Sequence, residues 1–315
     1  MAQFESLIRA NKAKSAALVV LFILLFTGVI FGIFLSGVTL IYGWPIVHQR
    51  SAMLATALAA HGLAIGMAAL CYFGAPSMVL TSAEAEPVPK GDDPMLHDVV
   101  EEMALASNLP PPAVYRMDVP SLNALAAGLG ARKAAIVVTR GLRERLDRAQ
   151  LQAVVAHELA RVKNGDIRLM TLVAGFVGLA VLVQEFVKSL VGAKETTLAA
   201  LGLLLVPLML PILLVAPVLG RLIQLGVSRQ RQFLADAEAA RMTRYPEALA
   251  QALEIMEADP DPLEAVSLAT AHLYVVSPLV VGGDGEDPPR DSVWSSHPLV
   301  AERVRRLRAI GNIEG

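Results

Sequence analysis

The chain has 315 residues, 55% of them hydrophobic, and a mean hydropathy of +0.54, more apolar than ordinary soluble domains and in the range of a membrane protein. A net charge of −2, with 18% charged and 5% aromatic residues, argues against nucleic acid as a main partner and against a base-stacking platform. The single cysteine, Cys71, excludes a disulfide framework and a cysteine-built zinc site.

Between Ser15 and Gln49 there is no Lys, Arg, Asp or Glu, and Ala16–Tyr42 is almost wholly aliphatic. That run exceeds the roughly 20 residues needed to cross a bilayer. A second uncharged stretch, Ser51–Ala83, is most apolar over Ala55–Val79. His48 lies at the junction of the two, and His61 falls inside the second. With no acidic neighbour in sequence, His61 is expected to have a structural or interfacial role. Glu84–Asp93, rich in Pro, Glu and Gly, reads as a juxtamembrane linker. Asp92–Ser107 has helical periodicity in Leu96, Val99, Val100, Met103 and Leu105, and Pro110–Pro112 stop it. Ala113–Met117 and Ala134–Thr139 read as short strands, and Thr139–Leu146 and Arg148–Lys163 as successive helices. Leu169–Val191 is a third apolar span with Glu185 and Lys188 at its far end. Thr196–Leu219 is a fourth, carrying Pro207, Pro211 and Pro217, and the short loop Gly192–Thr197 makes a hairpin of the two. Asp287–Arg290 reads as a loop, and His297–Ile310 as an Arg-rich final helix with a solvated face.

Charge predicts the orientation. Arg9, Lys12 and Lys14 precede the first span and Arg50 alone follows it. Arg161, Lys163 and Arg168 precede the third span, and Arg221, Arg229 and Arg231 follow the fourth. The positive-inside rule then puts the N-terminus and both polar regions in the cytoplasm, with the C-terminus. The expected layout is a membrane hairpin over 1–83, a first cytosolic part over 84–168, a second hairpin over 169–220 and a second cytosolic part over 221–315. The two cytosolic parts are each small for a core and are expected to pack as one domain.

His157-Glu158-Leu159-Ala160-Arg161 stands where a zinc protease would carry His-Glu-x-x-His. In the intact motif two His at i and i+4 hold Zn²⁺ from one helix face, and the Glu polarises the attacking water. Arginine has no free lone pair and a persistent positive charge, so Arg161 cannot act as the second ligand.

The surrounding run Gln152–Asp166 resembles the active-site helix of HtpX-like membrane zinc metalloproteases, metallopeptidase family 48, which also includes the CAAX prenyl proteases. Asn123-Ala124-Leu125-Ala126 is similar to that family's substrate-facing edge strand, and Ile136–Leu142 to the strand and turn before its catalytic helix. Ser228–Asp236 is similar to its Ser-Arg-x-Arg-Glu-x-x-x-Asp stretch, and Ser295-Ser296-His297-Pro298 to a Ser-Thr-His-Pro signature. The resemblance implies a mainly α membrane protein with four transmembrane helices plus a cytosolic α+β gluzincin-like metalloprotease domain, in a bacterial inner membrane.

It also implies ligand positions that this chain fills differently. His157 is retained, Arg161 replaces the second His, and Gln232 replaces the Glu that is the third ligand. Glu158, the family's water-activating base, is kept, as is Asp236, which orients a zinc-binding His. One imidazole does not hold zinc at useful affinity, so no cofactor is expected. Arg161, at i+3 from Glu158, is expected to stand in for the ion and to pair with Glu158 or Asp236. The remaining histidines, His48, His61, His97, His272 and His297, lack ligand spacing to His157. Glu238 is expected to point off the Gln232 face.

The expected function is a pseudoprotease that binds membrane-protein clients or a partner membrane complex at the bilayer. Asn123, Ala124 and Leu125 would offer an edge for an extended peptide, unless a loop covers it. The alternative is an active zinc metalloendopeptidase cutting membrane proteins at the cytoplasmic face. A small transporter or channel is disfavoured by the scarcity of ionisable groups within the spans.

Overall fold

A computed structural model describes residues 2–42, 49–191, 229–261, 263, 270–278 and 297–314. The fourth predicted span, its hairpin loop, His48, Ser228, Ser295, Ser296 and the loop Asp287–Arg290 lie outside these residues. The chain divides into two compact units: Ala13–Ala75 with Gly175–Leu222, and Met1–Lys12 with Pro76–Ala174 and Ile223–Gly315.

The apolar unit contains most of α1 (Ala2–Tyr42) and α2 (Arg50–Ser82) and the second half of α6 (Asp166–Val191). Both α1 and α2 hold a segment long and apolar enough to cross a membrane. Among the described side chains each buries a stripe: Leu18, Phe22, Phe26 and Ile30 on α1, and Ala60, Ala64, Ala68, Cys71 and Ala75 on α2. The spacing of three and four follows the helical repeat. The opposite faces present Val20, Leu24, Leu58, Leu70 and Phe73, apolar residues that water would not favour and lipid would. Phe22 stacks on both Phe26 and Phe176 with ring centroids 4.1 Å apart. A methyl added at Gly175 would lie 2.6 Å from Ala75 Cβ, so a small residue is needed where α6 meets α2. His61 Nδ1 lies 2.9 Å from Thr27 Oγ1, whose hydroxyl donates to Ile23 O, so His61 joins two helices.

The polar unit is built on a four-stranded sheet in the order β1-β2-β4-β3: β1 (Ala85–Pro87), β2 (Ala113–Met117), β3 (Ala124–Gly128) and β4 (Ala134–Thr139). Pairing is parallel between β2 and β4 and antiparallel elsewhere. β1 corrects the reading of Glu84–Asp93 as a linker alone, because Ala85–Pro87 pairs with Tyr115–Met117. β4 is buried throughout, as a strand covered on both faces must be. Ile136 and Val138 face a core of α3 (Pro94–Ser107), α5 (Arg148–Lys163), α7 (Arg229–Thr243), α8 (Pro246–Glu257) and α9 (Val300–Glu314). Val137 and Leu125 face a second cluster with Met117, Met170, Leu273 and Tyr274.

Two local devices aim the site. The short helix α4 (Arg140–Arg145) leaves β4 under the Thr139 cap, whose hydroxyl accepts from Leu142 N–H and bonds to both N–H and C=O of Asn123. Gly141 permits this crossing, since a Cβ there would overlap Pro120 O. α5 then starts with a capping box in which Asp147 and Gln150 satisfy each other's backbone N–H, a device worth ~1 kcal/mol.

Candidate active site

α5 and α7 supply the site. His157, Glu158 and Arg161 follow one another along α5 and are at most 2% exposed; Gln232 and Asp236, one turn apart on α7, are each 3% exposed. Leu151–Val162 is buried almost without interruption, so these polar groups sit in a helix that has apolar neighbours on all sides. Charges in such surroundings need partners, and each finds one.

Arg161 turns inward. Its Nη1 donates to Glu158 Oε1 and Oε2 at 2.8 and 3.0 Å and to Leu273 O at 2.6 Å, and Nη2 lies 2.9 Å from Met170 Sδ. A cation in the last turn of a helix is also favoured by the helix dipole.

Asp236 is served from elsewhere. Arg303, on α9 and 1% exposed, donates to both its oxygens from Nε and Nη2, at 2.8 and 2.7 Å, and gives Nη1 to Val275 O. Burial by itself would raise the Asp236 pKa, but the Arg303 charge and hydrogen bonds, with His157 beside it, hold the carboxyl well below the usual carboxylate range. This refines the expectation for Arg161, which pairs with Glu158 and leaves Asp236 to another arginine. It also corrects the reading of the final helix. Arg305, Arg306 and Arg308 are solvated and paired with Glu302, Glu247 and Glu254, but Arg303 belongs to the interior.

His157 Nδ1 is 2.8 Å from Asp236 Oδ1, although the ring N–H is not well aligned with it. Its Nε2, and both amide atoms of Gln232, have no hydrogen-bond partner among the described residues despite their burial. Orphaned buried polar atoms are uncommon and gather at functional sites. Here three of them, on His157 and Gln232, occupy positions that the family resemblance assigns to metal ligands. The donor set does not fit a zinc ion. One imidazole nitrogen and one neutral amide are offered, and the third position is a guanidinium already committed to the carboxylate. Among the described residues no three His, Cys, Asp or Glu side chains converge to hold a metal.

The other polar residues fall into place around this pair. His272 Nε2 meets Met170 O at 3.0 Å, and burial, with Arg161 nearby, pushes its pKa down to about 4. His297 Nε2 meets Tyr274 O at 2.9 Å, and burial pushes it down to about 3. Glu238 faces Lys163 at 3.7 Å. Asn123 holds Val276, donating from Nδ2 to its carbonyl at 3.0 Å; Ala124 and Leu125 are buried on β3. Sequence reasoning missed Arg303 and the segment 273–276. The short aromatic and β-branched run Leu273-Tyr274-Val275-Val276 was the one available sign of the latter.

Residues 91–311 match the profile of Peptidase family M48. The chain is 37% identical to a protein described as "Protease HtpX homolog" from Dictyoglomus thermophilum, over 76% of this chain and 77% of that one. It is 40% identical to one of the same description from Dictyoglomus turgidum, over 69% and 70%. Among solved structures, Ste24p of S. mikatae is similar, with 16% identity and a TM-score of 0.41, covering 82% of this chain and 66% of that one.

Proposed function

The chain belongs to peptidase family M48, and we propose that it is a member that binds without cutting: an HtpX-like pseudoprotease that holds partner or client membrane proteins. The observation that carries this reading is the buried contact between Arg161 and Glu158. In a zinc protease the glutamate must accept a proton from a water held by the metal. Here both its oxygens accept from a fixed cation, and that cation occupies the place of a ligand. A divalent ion brought beside the guanidinium would meet like charge in a medium that screens poorly. Gln232 weakens the site again, since an amide oxygen is a poorer Zn²⁺ ligand than a carboxylate.

Four membrane spans, with both polar parts and both termini on the cytoplasmic side, complete the reading. They rest on the apolar runs and on the basic residues Arg9, Lys12 and Lys14 before the first span. Clients would be membrane proteins reached from that side.

The test is metal analysis of the purified full-length protein together with cleavage of a loosely folded protein such as casein. Zinc far below one per chain and no chelator-sensitive cleavage are expected. An active zinc endopeptidase is the second reading, favoured by the retained Glu158 and by the identity to proteins described as proteases. Near-stoichiometric zinc with chelator-sensitive cleavage would establish it in place of the first.

A further inference from the structure

Leu273 to Val276 present four consecutive carbonyls, and each meets a side chain from a different part of the polar unit. Leu273 O accepts from Arg161 Nη1 at 2.6 Å, and Tyr274 O lies 2.9 Å from His297 Nε2. Val275 O accepts from Arg303 Nη1 at 2.7 Å, and Val276 O from Asn123 Nδ2 at 3.0 Å. The main chain of the segment meets β3 at the segment's middle, just after the short turn Ala271–Leu273. Leu125 and Tyr274 form an antiparallel bridge, and Val275 N–H donates to Ala124 O at 3.0 Å. Leu273, Tyr274 and Val275 are fully buried.

β3 is the outer strand on its side of the sheet. An outer strand is where an extended peptide adds, through main-chain hydrogen bonds. In this chain the Asn123–Leu125 end of that edge is taken by the protein's own residues.

We propose that Leu273–Val276 is a resident internal segment that closes the Asn123–Leu125 end of the β3 edge to incoming peptide, and that Arg161 is its lock. The guanidinium joins the two halves of the device, since one nitrogen bonds both the Glu158 carboxylate and the Leu273 carbonyl. Charge-assisted bonds of this kind are about twice as strong as neutral ones, and burial strengthens them further. A peptide reaching β3 must first displace the segment, so client binding at this edge is conditional on release. The proposal rests on the non-catalytic reading in one respect: it takes Arg161 to be the resident cation of the site.

Hydrogen exchange of the full-length protein in detergent micelles tests it, followed by mass spectrometry of peptides covering 271–277 and β4. In the wild type the 271–277 peptide is expected to be protected in step with β4. The paired change Glu158→Gln with Arg161→Gln leaves no unpaired charge behind. It should speed exchange over 271–277 by roughly tenfold or more while β4 is unchanged. Asn123→Ala, which cuts only the Val276 end, should give a smaller increase and serves if the paired variant does not fold. Wild-type 271–277 exchanging as fast as free peptide would overturn the proposal, as would unchanged exchange in the variants. Zinc measured on the same samples reports separately on the non-catalytic reading, because wild-type zinc bears on that reading and leaves the exchange result standing.

Discussion

Two arginine–carboxylate pairs hold this site, and they are built differently. Arg303 grips Asp236 as a fork, with two nitrogens on two oxygens, across 67 residues of sequence. Arg161 reaches Glu158 within one turn of α5, through a single nitrogen that it shares with the Leu273 carbonyl. The fork joins α9 to α7 and so contributes to tertiary structure. The local pair adds little to the packing of helices, but it neutralises the carboxylate to which the family resemblance assigns the catalytic role. One pair ties distant helices together, and the other stays within the His157–Arg161 motif.

Breaking the fork should have the largest effect. Arg303→Ala leaves Asp236 buried without its counter-ion and Val275 O without its donor. A loss of about 3–5 kcal/mol is expected, read from denaturant unfolding of the polar unit in detergent. Arg161→Ala should cost less, about 2–3 kcal/mol, because its bonds to Glu158 and Leu273 run through one shared nitrogen and no two-pronged fork is broken. A double-mutant cycle of Glu158→Gln and Arg161→Gln should give a coupling of about 1–3 kcal/mol. No coupling would mean that the two side chains are not partners in solution.

Acid should loosen the surroundings of both pairs. His272 faces Arg161 and the Met170 carbonyl; His297 faces Arg303, Arg161, His272 and the Tyr274 carbonyl. Their folded-state values, about 4 and about 3, lie below the ordinary 6.5, so the unfolded chain takes up protons first as pH falls. Stability is therefore fully present above about pH 6.5 and is lost as pH falls toward 4, at up to ~1.4 kcal/mol per pH unit for each histidine. Unfolding midpoints at neutral pH and near pH 5 check this, and His272→Gln should flatten the slope. The smallest effect is expected at the surface. Arg308, exposed and shared between Glu247 and Glu254, should be replaceable by Ala with little measurable change in the midpoint.

The same contrast governs what could be read from the sequence. The Glu158–Arg161 contact is an i,i+3 relation on a helix, and the range Arg148–Lys163 that holds both was read from the sequence. β2 and β4 were legible because β-branched runs are bounded by prolines or turns. The Asp236–Arg303 fork was not legible. No local pattern links the two residues, and Arg303 is embedded among arginines that do face solvent. α8 carried a start signal in Pro246 and Glu247 and an apolar face in Leu249, Leu253 and Met256, yet it sits between stronger patterns. The segment 273–276 is too short for periodicity to report, and only tertiary contacts set it beside β3.

The most direct test of the central claim, that Arg161 and Gln232 have replaced a metal with a protein cation and an amide, is zinc content across a restoration series. Arg161→His and Gln232→Glu alone should each regain little zinc, and the two together should approach one zinc per chain, an unmodified chain remaining far below it. Near-stoichiometric zinc in the unmodified protein would contradict the account, as would a double variant that folds and still binds none.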